Sequence, residues 1–129
     1  MRTDARAELH LDADASAPHR GRHWVVPVLR AQAAPEPAVD LVELLTSEVV
    51  TNAVKYGSAE HGIVLSVDWS DSRVTVRVSD ANPSAPVVHR SAPEDLGGRG
   101  MELVELLAES WGVEPHAAGK TVWFTVRAA

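Results

Sequence analysis

The stretch from 41 to 57, LVELLTSEVVTNAVKYG, constrains the fold of this chain most, because it is apolar at helical spacing except for two polar residues. At about 100° per residue, Glu48 and Asn52 fall as neighbours on one face of a helix. The same arc is otherwise mainly apolar and holds Leu41, Leu44, Leu45, Val49, Ala53 and Tyr56. Burial of an unpaired carboxylate is costly. The pattern therefore predicts either a functional pair or a helix edge at which Glu48 reaches solvent.

Composition limits the kinds of protein that this chain can be. Its 129 residues suit one domain that buries a core without cross-links. The absence of Cys excludes thiol catalysis, Cys-based zinc sites and disulfides, and fits a cytoplasmic protein. Apolar runs are too short for a membrane span or a signal peptide. The net charge is −6 and no basic cluster stands out, so direct binding to nucleic acid or to a membrane is not expected.

The N-terminal part predicts a leader, a strand and a helix. Residues 1–7 are expected to be a disordered leader to one domain, residues 8–127. Alternation of apolar and polar residues predicts a short strand around Leu11. A helix is expected to start after Ser16. It should kink or end early at Pro27, because a proline inside a helix costs about 3 kcal/mol.

The central part predicts a second helix and a hairpin. Pro37 suits the first turn of the helix, and Gly57 suits its C-terminal cap. Residues 63–69 and 74–78 alternate between apolar and polar side chains, which predicts a β-hairpin with one buried face. Asp80 falls where the second strand of that hairpin ends.

The C-terminal part predicts a long proline-containing loop over 81–97, a helix reaching to about Trp111, and a last strand over 121–127. The resulting order is β, α, α, β, β, loop, α, β, β. This order predicts an α+β fold, a two-layer sandwich with helices on one face of a mixed, mainly antiparallel sheet.

Two glycine-containing segments are suggestive of phosphate binding. Gly97-Gly98-Arg99-Gly100 opens a predicted helix, where free N–H groups and the helix dipole favour an anion. Such a turn is more often an ordinary helix start. Gly119-Lys120-Thr121 is similar to the end of a P-loop, but Glu114 stands where that motif requires glycine, and a strand pattern follows where it requires a helix.

Together and in this order, the motifs resemble those of the Bergerat-fold (GHKL) nucleotide-binding superfamily, which includes the ATP-binding domains of histidine kinases. The matching positions are Glu48 and Asn52 on a helix, Asp80 at a strand end, Gly98-Arg99-Gly100 before a later helix, and Lys120-Thr121 on a late strand. The small size and the phrases SEVVTNAVKYG and GKTVWF resemble its anti-sigma-factor branch, the single-domain serine/threonine-protein kinases of partner-switching systems.

The resemblance implies a site for ATP and Mg²⁺. Asn52 would coordinate Mg²⁺ through its side-chain oxygen, and Glu48 would be the general base. Asp80 would accept a hydrogen bond from the adenine amino group, and Thr121 would help to hold adenine from the floor of the sheet. Lys120 is the weakest of the matching positions, since a lysine there would also suit a side chain that faces solvent.

The same resemblance assigns the glycine turn to the phosphates. Gly98, Gly100 and the N–H of Met101 would wrap them, and Arg99 would neutralise their charge. One departure concerns Ala81-Asn82-Pro83, which stands where the wider superfamily has glycines that let the base lie close to the backbone.

The function implied is that of a cytoplasmic ATP-binding anti-sigma regulatory factor. It would sequester a sigma factor and phosphorylate a serine on an anti-anti-sigma (STAS) partner, and the branch also allows a homodimer. The alternative is a non-catalytic protein-binding regulator of the same fold with weak or no ATP binding. A stand-alone ATPase or the kinase half of a two-component system is disfavoured, because the sequence has no phosphoacceptor-helix domain.

Overall fold

Five strands and three helices make up the part of the chain that the computed structural model describes, residues 5–56, 61–81, 99–117 and 119–128. The order of elements agrees with the predicted order. In chain order they are β1 (Ala5–Leu11), α1 (Ala17–Ala31), α2 (Glu36–Tyr56), β2 (Ile63–Ser70), β3 (Arg73–Asp80), α3 (Arg99–Leu107), β4 (Ser110–His116) and β5 (Gly119–Arg127).

The strands form one sheet in the order β1-β2-β3-β5-β4, and every described pairing is antiparallel. Side chains alternate between the two faces of such a sheet. One face carries the buried Leu65, Val76 and Phe124, and α2 packs against β3 and β5. The predicted α+β sandwich is thereby confirmed, with its core between the helices and one face of the sheet.

The predicted hairpin is β2 and β3, joined by Asp71 and Ser72. Both residues have positive φ, 49° and 67°. A two-residue turn of this handedness matches the right-handed twist of the strands that it joins, and Asp tolerates the left-handed region better than most residues. Ser70 consequently pairs with Arg73, and this register places Asp80 at the far end of β3.

The prediction of a leader over residues 5–7 is wrong, and helix α1 does not end early at Pro27. Strand β1 begins at Ala5, so residues 5–7 are not a leader; they pair with residues 67–69 of β2. Residues 1–4 lie outside the described residues. Helix α1 starts after Ser16 as predicted, but it continues through Pro27 to Ala31. The fully buried Val25 and Leu29 flank that proline, so packing outweighs its low helix propensity.

The buried face of α2 differs from the predicted arc. Leu44 and Tyr56 are 41% and 42% exposed. Four residues outside the predicted arc are fully buried instead: Val39, Val42, Thr46 and Val50. The face is rotated because α2 packs against α1 and α3 as well as the sheet. Pro37 lies in the first turn as predicted, and the predicted cap at Gly57 lies outside the described residues.

The prediction that a helix reaches to about Trp111 is wrong. Helix α3 ends at Leu107, and Trp111 lies in β4 opposite Phe124 of β5. Pairing with β5 across the sheet is a long-range interaction that the local pattern does not contain. Within the described residues, no helix has both the length and the apolarity needed to cross a bilayer.

Candidate functional site

Asn52 is a polar residue in the buried face of α2. It is 5% exposed. A buried amide is costly unless it has a hydrogen-bond partner, and a group of this kind is well suited to a ligand. Its oxygen is a hard donor of the kind that Mg²⁺ prefers. Among the described residues, no group of three His, Asp or Glu side chains is arranged to hold a metal ion.

Glu48 lies one turn before Asn52, at the rim of the buried face. It lines an open groove of about 310 Å³ between α1 and α2, together with Arg22, Asp40, Glu43, Leu44 and Ser47. Burial raises the pKa of the Glu48 carboxyl, and the Arg22 guanidinium lowers it in part. A carboxylate with a raised pKa is a better general base near neutral pH. Glu48 is thus half-buried and still reaches a solvent-filled groove.

Asp80 ends β3 on the helix-facing side of the sheet, and Lys120 of β5 lies directly opposite. The Lys120 ammonium donates to Oδ1 at 3.1 Å and lies 3.1 Å from Oδ2. Both side chains are 2% exposed. A charge pair is tolerated at such depth because each ion offsets much of the other's desolvation penalty. The two residues therefore form one unit, and Lys120 does not face solvent.

Thr121 points away from this unit, which corrects the prediction that it lies on the floor beneath adenine. The residue opposite Thr121 is Ser79, not Asp80, and successive side chains on a strand alternate in face. The Thr121 hydroxyl is 2.7 Å from that of Ser79 and 3.3 Å from Nε2 of His116. The side chain on the Asp80 face is that of Lys120.

Helix α3 begins with Arg99 and Gly100, as the predicted phosphate turn requires. Gly98 and the side chain of Arg99 lie outside the described residues. Met101 is fully buried, so its side chain belongs to the core. Its backbone N–H is in the first turn, where the N–H groups have no partner within the helix. Because α3 packs against α2, this turn belongs to the same layer as Asn52.

Sequence reasoning undervalued two residues of the site. Lys120 continues the alternation of Val122, Phe124 and Val126, so it could have been assigned to the buried face of β5. Arg22 acts on Glu48 only because α1 packs against α2, and nothing in the local sequence signals that proximity.

Comparison with known proteins identifies a family for this chain and solved structures of similar fold. The family profile of the histidine kinase-like ATPase domain matches residues 11–126. A crystal structure of the RsbU and RsbW domains of Rv1364c from Mycobacterium tuberculosis is similar, with a TM-score of 0.73 and 23% sequence identity. The match covers 95% of this chain and 32% of that chain, so this chain spans about a third of its length. No curated protein sequence matches.

Proposed function

Because the chain belongs to the histidine kinase-like ATPase family, we propose that it binds ATP with Mg²⁺ beside α2, with the base toward Asp80 and the phosphates toward the start of α3. The observation that carries this proposal is the buried Asn52 carboxamide on a helix that packs against both β3 and α3. Asp80, also buried, supplies an acceptor at the end of β3. These positions are the ones that the Bergerat-fold motifs assign to nucleotide.

The proposed activity is that of an anti-sigma regulatory factor. The protein sequesters a sigma factor and transfers the γ-phosphoryl group of ATP to a serine on an anti-anti-sigma protein of the STAS class. The motifs SEVVTNAVKYG and GKTVWF, and the fold shared with a structure that contains an RsbW domain, support this branch of the family. Such a protein acts in the cytoplasm.

Two residues of α2, Glu48 and Asn52, have different roles in the proposed reaction. Glu48 accepts the proton of the serine hydroxyl while the serine oxygen attacks the γ-phosphorus and ADP leaves. Asn52 would hold Mg²⁺, and the ion would neutralise charge on the phosphates. Phosphoryl transfer requires mainly positioning and charge stabilisation. The groove at Glu48 is open to solvent between α1 and α2, so a serine on a second protein can approach the carboxylate there.

A phosphoryl-transfer assay tests this activity. The purified chain is incubated with γ-labelled ATP, Mg²⁺ and candidate STAS proteins, and the partner is then analysed for phosphoserine. Label on one serine of the partner, lost when that serine is replaced by Ala, is the expected result. A partner that binds the chain in a stable complex and acquires no phosphate contradicts the kinase assignment.

The second candidate is a protein-binding regulator that does no chemistry. The observation that favours it is the Asp80 carboxylate, which is already engaged by Lys120 inside the protein. A residue with a purely structural role would make such a pair. This candidate predicts that affinity for the partner is the same with and without ATP, whereas the kinase predicts a nucleotide-dependent affinity.

A further inference from the structure

Lys120 occupies a position at which a lysine is unexpected. It lies on the same face of β5 as Val122, Phe124 and Val126, which are all buried in the core. Lysine is almost never fully buried unless it is paired. A Thr, Val or Leu would fill this position at lower desolvation cost. The placement of an ammonium here therefore requires an explanation in terms of its partner, Asp80.

The backbone is shaped to bring the two residues together. Gly119 precedes Lys120 at the point where β5 meets the end of β3. A Cβ atom on Gly119 would lie 1.9 Å from the carbonyl oxygen of Asp80 and 2.7 Å from Cα of Ala81. Any other residue at 119 would push the strands apart at this point. The contact between Lys120 and Asp80 thus depends on a glycine at the adjacent position.

We propose that Lys120 is a positioning residue for nucleobase recognition: it fixes the Asp80 carboxylate as the acceptor for the 6-amino group of adenine. The inference rests on the proposed ATP site. The ammonium lies at the same distance from both carboxylate oxygens, 3.1 Å, which restricts rotation of the carboxylate about its last bond. A carboxylate has about four acceptor positions, and an ammonium between its oxygens occupies no more than one on each.

A fixed acceptor selects between purines. A purine with a 6-amino group donates a hydrogen bond to the Asp80 carboxylate. A purine without that group cannot make this hydrogen bond. A hydrogen bond to a charged group in a buried site changes affinity by roughly tenfold to a hundredfold. If Lys120 acts through the orientation of Asp80, its removal will reduce the affinity for ATP and leave that for a purine without the amino group nearly unchanged.

The test compares two nucleotides across three proteins by isothermal titration with Mg²⁺. The nucleotides are ATP and purine riboside triphosphate, in which hydrogen replaces the 6-amino group. The proteins are the wild type, Lys120→Met and Arg127→Met, which removes a cation from the exposed far end of the same strand. We expect the wild type and Arg127→Met to prefer ATP by roughly tenfold or more, and Lys120→Met to lose most of that preference.

Two results overturn this proposal alone. If Lys120→Met weakens both nucleotides equally, the lysine has a structural role only. If the wild type binds both nucleotides equally, Asp80 does not read the amino group, and this result stands even where the variant fails to fold. In both cases ATP still binds and the proposed function survives. Failure of the wild type to bind ATP at all overturns the proposed function together with this inference.

Discussion

The two carboxylates assigned to the site have opposite surroundings. Asp80 is 2% exposed and is in contact with an ammonium that is buried to the same extent. Glu48 lies in a groove open to solvent, where the Arg22 guanidinium offsets only part of the effect of burial. Burial raises the pKa of Glu48, because its partial loss of hydration is not fully offset.

The difference between the two carboxylates matches the roles proposed for them, which are ligand recognition for Asp80 and proton transfer for Glu48. A group that recognises a ligand benefits from a fixed geometry, which Asp80 obtains from Lys120 and from the close approach of Gly119. A group that transfers a proton benefits from a raised pKa and access to substrate, which Glu48 obtains from its place at the rim of α2.

The largest expected effect is on phosphoryl transfer in Glu48→Gln. Loss of the proposed general base should lower the rate of transfer to the proposed STAS partner by roughly 10²–10⁴-fold, while the Kd for ATP changes little. Glu43→Gln is the matched control, because Glu43 lines the same groove on the same helix. If the two variants are equally impaired in transfer, or if neither is impaired, Glu48 has no role in transfer that Glu43 lacks.

A large effect on stability is expected when Asp80, the other carboxylate, loses its contact with Lys120. Lys120→Met removes the ammonium that contacts the buried Asp80 carboxylate and should lower the free energy of unfolding by about 3–5 kcal/mol. Because a buried pair is replaceable by apolar residues, the double variant Asp80→Leu with Lys120→Met should be more stable than Lys120→Met alone. Urea unfolding followed by circular dichroism measures both. A double variant less stable than the single one would show that the pair does not act as a unit.

The smallest expected effect is the pH dependence due to Glu48. Its folded-state pKa is raised, so between the ordinary and the raised value the folded protein binds more protons than the unfolded chain. The free energy of unfolding should therefore fall as pH rises through that window, and Glu48→Gln should lack this decrease. Transfer by the wild type should increase over the same window, as the carboxylate forms. Parallel pH–stability curves for the two proteins would rule out the raised pKa.

Local patterns were sufficient to predict much of this fold. The period of two in β2 and β3 and the place of Asp80 at a strand end were evident from the sequence, because they depend on neighbouring residues. The buried face of α2 was not evident from the sequence, because it depends on which elements pack against the helix. Leu44, for example, is exposed although it continues the apolar pattern. Strand alternation could have indicated the burial of Lys120, but its pairing with Asp80 joins residues far apart in sequence.

The most direct test of the nucleotide site is isothermal titration of the wild type and Asn52→Ala with ATP and Mg²⁺. Thr51→Ala is the control, because the Thr51 hydroxyl bonds to the carbonyl oxygen of Ser47 within the same helix. The account predicts micromolar-range binding that Thr51→Ala retains and that Asn52→Ala weakens by roughly tenfold or more. Absence of binding at millimolar ATP, or binding that is unchanged in Asn52→Ala, would contradict it.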